Sequence, residues 1–193
     1  MRINGRFIYI DNHSILNTEK MHQWSMDKSL LQIEAGDVNN IIFDIDTYFK
    51  QVMTAYISNT HEANTSFCHF GIYSISTCEL IGYVDLQNID VIHNNAELSL
   101  SIPDKDRRNK GYGFDAFLTA LHYSFIIRKL HNVIVQTKVE NKTVIEIAQK
   151  LRINGTKNNV KIHGEAIELM KYVINKVDYE KIRNLTTAST SYD

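Results

Sequence analysis

The chain reads as an α/β domain, and three observations carry that reading. Strand-like and helix-like periodicities alternate along its 193 residues. Phe67 to Ile75 and Leu80 to Asn88 form two β-rich runs joined by the short turn Ser76-Thr77-Cys78-Glu79, which predicts a hairpin. A further strand, Ala96-Glu97-Leu98-Ser99-Leu100-Ser101-Ile102, alternates apolar and polar residues, then gives way through a glycine turn to a long helical pattern.

The remaining elements follow in order. Arg6 to Ile10 is a first strand and Thr18 to Leu31 a first helix. Gly36 to Asn40 is a loop, and Ile45, Phe49, Val52, Met53 and Tyr56 recur at helical spacing, so Asp44 to Ile57 is a second helix. Ser58 to Thr65 is a polar connector. Pro103 and the charged run Asp104 to Arg108 end the third strand of the middle region. Phe114, Phe117, Leu118, Leu121, Phe125 and Ile126 then predict a helix to about Leu130. Val133 to Lys138 is strongly β-like, Lys142 to Leu151 helical, and residues 160–163 and 166–175 are expected to form a hairpin around Gly164. The Thr- and Ser-rich stretch 184–193 is expected to be a disordered tail, leaving one domain over 1–183 with no internal repeat or linker.

Composition excludes several classes. A net charge of −1 gives no electrostatic footprint for nucleic acid or an anionic membrane. Hydrophobic content of 44% beside 22% charged residues is that of an ordinary globular protein. No run approaches the ~18 apolar residues of a membrane span, and the first twenty lack the apolar stretch of a secretion signal. Cys68 and Cys78 are too few for a disulfide framework and read as reduced thiols, so a cytoplasmic location is expected. The eight histidines show no His-Glu-x-x-His spacing, so no metal site is expected.

The chemistry concentrates at Arg108-Asn109-Lys110-Gly111-Tyr112-Gly113. A strand, a tight basic glycine turn and a helix start together make an anion site. Main-chain N–H groups point outward, the helix dipole adds positive character, and glycine lets a phosphate approach the backbone. The segment is read as holding a pyrophosphate. It is not a P-loop, because Lys110 precedes Gly111 and no Ser or Thr follows. The dinucleotide fingerprint fits poorly too: position 116 is Ala, and that turn normally opens a domain, whereas this one lies past the middle.

Arg108-x-x-Gly111-x-Gly113, following a strand that bears Glu97, resembles the coenzyme A signature of the GNAT superfamily of N-acetyltransferases. Other blocks resemble the same family in the right order. Ile81-Gly82-Tyr83-Val84-Asp85-Leu86 and His93 to Glu97 resemble the paired central strands of the branch holding ribosomal-protein, polyamine and amino-sugar acetyltransferases. Val133 to Asn141 resembles the fifth strand and its Asn, and Trp24-Ser25-Met26-Asp27 the Trp-x-x-Asp ending the first helix. The resemblance spans about residues 7 to 179. It implies the GNAT fold, a mostly antiparallel sheet of six to seven strands flanked by about four helices.

Acetyl transfer from acetyl-CoA to a primary amine, by direct attack in a ternary complex, is the implied activity. An alkyl amine has a pKa of about 10.4, so a base must take its proton. The thioester oxyanion needs a preorganised donor. By resemblance Glu97 is the best candidate for the base, either taking the proton itself or binding the amine, with Asp85 and Asp90 as secondary candidates, while a bulge in strand 96–102 exposes the oxyanion donor near Leu100 or Ser101. Leu100, Ile102, Arg108, Asn109, Lys110, Gly111, Tyr112, Gly113 and Asn141 would hold the coenzyme, Asn141 also being placed to cap a helix. Trp24, Asp27, Asp85 and His93 would face the acceptor.

One departure matters. The family's Tyr acid, which follows the Asn, is Ala148 here, and Arg152-Ile153 replace Gly-Phe. Tyr172, Tyr112 or Ser99 are alternative proton donors, and coenzyme A thiolate leaves tolerably without one. Acidic residues between Asp27 and Asp46 favour a cationic small amine, a polyamine or an amino sugar. A protein N-terminus and a catalytically degenerate acyl-CoA-binding module are the alternatives. A homodimer is left open.

Overall fold

The computed structural model describes residues 1–12, 17–25, 67–162 and 165–189. The expected second helix, the loop at 36–40, Asp27 and residues 190–193 lie outside the described residues. Eight strands form one sheet in the order β1-β2-β3-β4-β5-β6-β8-β7. They are β1 (Ile3–Asn4), β2 (Ile8–Asp11), β3 (Cys68–Ser74), β4 (Leu80–Asp90), β5 (Asn95–Ser101), β6 (Asn132–Lys138), β7 (Gly155–Ile162) and β8 (Glu165–Asn175). The α-helices among the described residues are α1 (Thr18–Ser25), α2 (Tyr112–His122), α3 (Lys142–Lys150) and α4 (Lys176–Ser189). The class is the expected one. The two-residue β1 takes the strand count past six to seven.

Every neighbouring pair is antiparallel except β5 and β6, which run parallel. A parallel pair needs a crossover, and α2 supplies it. Strand alternation sorts the side chains into two faces. Ile8, Ile10, Phe70, Ile72, Val84, Leu86, Ala96, Leu98, Val133 and Ile174 share one core with residues of α2, α3 and α4. Each buried Val, Leu, Ile or Phe among them contributes about 1.5–3 kcal/mol relative to exposure. The other face carries a smaller cluster of Tyr9, Met21, Tyr73 and Leu80, with Trp24 and Tyr83 packed on it, and α1 lies there.

Ala116 and Ala120, one turn apart on α2, are both buried, so small side chains let the helix lie close to the sheet. After His122 the helix widens into a π turn over Tyr123–Ile127. Ser124 bonds back to the Ala120 carbonyl at 2.8 Å, a contact that loosens and bends helices. Helical character thus reaches Ile127, close to the expected end. At the C-terminus, α4 runs through residues read from sequence as the start of a tail. Tyr179 and Ile182 are its buried anchors, and Tyr179 stacks on Phe125 at 5.2 Å. Its start is a reciprocal cap: Asn175 accepts from the Asp178 N–H at 3.0 Å and donates its own N–H to Asp178 at 3.3 Å.

Candidate active site

The parallel ladder between β5 and β6 pairs Asn95 with Asn132, Ala96 with Val133 and Glu97 with Ile134, and stops there. β5 stays on β4 as far as Ser101, and β6 stays on β8 as far as Lys138. The two strands therefore part beyond Glu97, leaving main-chain groups of Leu98–Ser101 facing a gap. This corrects the expected bulge in strand 96–102. Against β4, the register of Glu97 to Ser101 is unbroken, and the irregularity falls between Gln87 and Asp90 on β4. Divergence from β6, not a bulge in β5, exposes that stretch of backbone.

Glu97 sits where the gap opens. Its neighbours Ala96 and Leu98 are buried in the main core, so alternation turns Glu97 to the α1 face. One carboxylate oxygen accepts from Asn88 Nδ2 at 3.1 Å, the other from Gln136 Nε2 at 3.2 Å. Asn88 has φ +51 at the irregularity of β4, which swings its amide toward Glu97. Both partners are neutral, and no described cation pairs with this carboxylate. Glu97 is thus oriented while its charge stays available to a cationic amine. Asn88 and Gln136 escaped the sequence reading, since amides on neighbouring strands carry no motif.

Ser99 is exposed on the same face, opposite Asp85 in the β4–β5 register. Asp85 is only 3% exposed, and its Oδ1 is bonded to Nδ1 of buried His69 on β3. His69, Asp85 and Ser99 are successive register partners across three strands. Asp85 is therefore buried on the α1 face and bonded to His69, whereas Ser99 is exposed there. Trp24 packs on this face, 6.2 Å from the Tyr83 ring, with Lys20 Nζ 5.2 Å over it. Asp27 lies outside the described residues.

His93 and Asp90 fall elsewhere. Asp90 accepts from the Ile92 and His93 N–H groups at 2.9 and 3.0 Å, and His93 Nδ1 lies 2.6 Å from its other oxygen. The His93 N–H above all holds the Asp90 carboxyl below its usual pKa. This turn caps the β4–β5 hairpin at the end remote from the glycine turn. Tyr172 pairs with Val135 on β6 and shares the face of Ile174, opposite to Glu97. It is 4% exposed, and burial pushes its phenol pKa up. The structure does not bring Tyr172 together with Glu97 and Ser99. Ala148 is buried on α3, so no phenol stands there either.

The glycine turn opens α2 with a left-handed backbone. Gly111 is the N-cap of α2 with φ 84 and ψ −11, and Asn109 has φ 58. A Cβ built on Gly111 meets nothing within 4 Å, so the space before the helix is open. Among the described residues no group accepts from the main-chain N–H groups of Asn109 to Phe114, whereas the Asp115 N–H closes on Gly111 O at 2.9 Å. Lys110 is exposed beside them. The space beside Gly113 is bounded by Ile102 and Leu100, whose side chains would lie 3.7 and 3.9 Å from a Cβ there.

Arg108 is spent on the scaffold. Its Nε donates to Ile102 O at 2.8 Å and its Nη2 to Pro103 O at 2.9 Å, folding the turn back onto the strand end. Arg107 ties the same loop to Glu79 at 2.6 Å. Asn141 caps α3 through Val144 N at 3.4 Å and donates to Thr137 Oγ1 at 2.9 Å, which sets its side chain at the end of β6. A carboxylate where two strands part, on the strand that leads to an open helix N-terminus, can take a proton from an amine while that N-terminus holds an anion.

Comparison with known proteins agrees with this geometry. Residues 15–154 match the family model described as an acetyltransferase (GNAT) domain. A spermidine N(1)-acetyltransferase of Vibrio cholerae serotype O1 is 34% identical over 71 residues, 37% of this chain, and the match spans 40% of that relative. Among solved structures, spermidine N-acetyltransferase from Vibrio cholerae in complex with CoA and spermine superposes with TM-score 0.70 at 19% identity, over 90% of this chain and 98% of that one. An acetyltransferase (GNAT family) from Bacillus anthracis gives TM-score 0.69 at 18% identity, over 91% and 98%. Among the described residues no helix is long and apolar enough to cross a membrane. With a splayed β5–β6 pair, a glycine turn opening α2 and a family match over most of its length, the chain belongs to the GNAT family of N-acetyltransferases.

Proposed function

We propose that this protein transfers the acetyl group of acetyl-CoA to a primary amine of a small polycation, a polyamine in the first instance, by direct attack in a ternary complex. The observation that carries the reading is Glu97, bonded by two neutral amides at the point where β5 and β6 part. The ammonium of the acceptor is drawn to that carboxylate, which takes its proton directly or through one water. The amine then attacks the thioester carbon. The carbonyl electrons move onto oxygen, where main-chain N–H groups of the Leu98–Ser101 stretch support the oxyanion. Collapse expels the thiolate as the nitrogen gives up its second proton, and that proton ends on the sulfur; Ser99, exposed on the same face, is better placed than Tyr172 to relay it.

The pyrophosphate would rest on the open N–H groups of Asn109 to Phe114, with Lys110 alongside. Arg108 shapes that turn instead of holding the phosphates. The polyamine preference rests on the acidic stretch Asp27–Asp46 and on likeness to a spermidine N(1)-acetyltransferase, which matches over 71 residues. Amino sugars and protein N-termini are the competing acceptors.

The test is thiol release from acetyl-CoA with spermidine, glucosamine 6-phosphate and an N-terminal peptide in parallel. The expected result is fastest turnover with spermidine. Glu97→Gln should lower kcat about 10²–10⁴-fold while acetyl-CoA affinity stays within about twofold, because only proton removal is lost. Wild-type turnover with the peptide alone would replace the acceptor assignment. Equal turnover by wild type and Glu97→Gln would remove the base.

A further inference from the structure

Asp115 occupies the first turn of α2, two residues beyond Gly113, yet its carboxylate does not cap its own helix. It reaches across to the N-terminal hairpin. Oδ1 accepts from the Arg6 N–H at 2.9 Å, and Oδ2 from the Phe7 and Ile8 N–H groups at 2.6 and 3.0 Å. Asp115 is 9% exposed, so these charge-assisted bonds form largely out of water. The hairpin turn is shaped for the contact. Gly5 N donates to Ile8 O at 2.8 Å, and a Cβ on Gly5 would lie 2.7 Å from both Asp115 oxygens and from Thr119 Oγ1. Thr119 in turn donates to Asp115 O at 2.8 Å, so a helix turn and a hairpin turn close on each other.

We propose that Asp115 is a positioning residue for the cofactor turn, and that the segment 5–8 is in this way part of the acetyl-CoA site. The proposal rests on the reading of Asn109–Phe114 as the pyrophosphate cradle. Three N–H donors outside the helix absorb the carboxylate. The free N–H groups of the first turn are left for phosphate, and α2 is fixed in depth and direction against β2. Ile8 and Ile10 of β2 are fully buried, so the hairpin is an anchor rather than a loose arm.

Geometry and simple electrostatics make opposite predictions here. Asp115→Asn removes a negative charge near the phosphates, which by Coulomb attraction alone would tighten binding. The latch predicts the reverse. An amide offers one acceptor oxygen in place of two, so the helix start shifts and acetyl-CoA binding weakens. Gly5→Ala perturbs the same latch from the hairpin side with every charge kept.

The experiment is isothermal titration of acetyl-CoA into the full-length wild type, Asp115→Asn and Gly5→Ala at 25 °C, with circular dichroism on the same samples. Steady-state kinetics accompany it. Both variants are expected to raise Kd and KM for acetyl-CoA at least about fivefold, the lower end of ordinary site coupling. Their kcat at saturating acetyl-CoA should stay within about twofold. Lower melting temperatures with unchanged or tighter Kd would overturn the proposal and reduce the latch to a stability element. Should Asp115→Asn fail to fold, Gly5→Ala decides alone. A wild type that does not bind acetyl-CoA would overturn the proposed function as well, whereas a wild type that binds like its variants would overturn this inference only.

Discussion

Gly111→Ala and Gly111→Asp separate the cost of a backbone conformation from the cost of blocking a ligand. Gly111 has φ 84, so any side chain there sits in the left-handed region and costs about 1–2 kcal/mol. Packing adds nothing, because a Cβ there meets no atom within 4 Å. A chain of this size loses roughly 2–4 °C per kcal/mol, so both variants should melt within about 8 °C of wild type. Binding should respond far more. The new Cβ projects into the open space where a phosphate would meet the main-chain N–H groups. An Asp carboxylate about 5 Å from a phosphate charge, at an effective dielectric of about 20, adds roughly 3 kcal/mol of repulsion. That alone is more than a hundredfold in Kd. The assay is titration calorimetry with acetyl-CoA beside thermal melts. Gly111→Ala should lose about tenfold and Gly111→Asp should show no measurable binding. Affinity within about twofold of wild type in Gly111→Asp would refute the cradle.

Other consequences follow from the bonding already described. Arg108→Ala removes the donors to the Ile102 and Pro103 carbonyls and should destabilise by about 1–3 kcal/mol. Acetyl-CoA affinity should fall only about threefold, and a hundredfold loss at unchanged melting temperature would instead place the guanidinium on the phosphates. Burial pushes the Tyr123 phenol above its ordinary value of 10.0, and its hydroxyl lies 3.9 Å from Cys68 Sγ. The unfolded chain releases this proton first, so Tyr123's contribution is intact below about pH 10 and lost as pH climbs toward the higher folded value. Urea melts across the alkaline range should show stability falling above about pH 10. The fall should be shallower in Tyr123→Phe.

Local periodicity made most of the sheet legible. β5 lies where alternation placed it, and β3, β4 and β6 lie where β-rich runs placed them, β3 being buried at every residue. The glycine turn was legible as well, since glycine is the residue that takes a left-handed cap at least cost. What stayed hidden depends on residues distant in sequence. Asp115 looks like an ordinary first-turn acid, and only the fold brings residues 6–8 against it. His69 and Asp85 are sixteen apart and meet through register. Arg108 carries the family's motif position, yet the fold turns its guanidinium onto two carbonyls. Helix α4 was missed although Asn175 and Asp178 hold a readable cap, because the polar residues after Ile182 obscured its short apolar stripe.

The most direct test is a thermal-shift titration of the full-length chain with acetyl-CoA, with NADH and ATP as controls. At 100 times its dissociation constant a ligand adds about 2.7 kcal/mol, which should raise the midpoint by roughly 5 to 10 °C. The account predicts that shift with acetyl-CoA alone. A folded sample whose midpoint does not move with acetyl-CoA, or moves equally with ATP, would contradict it.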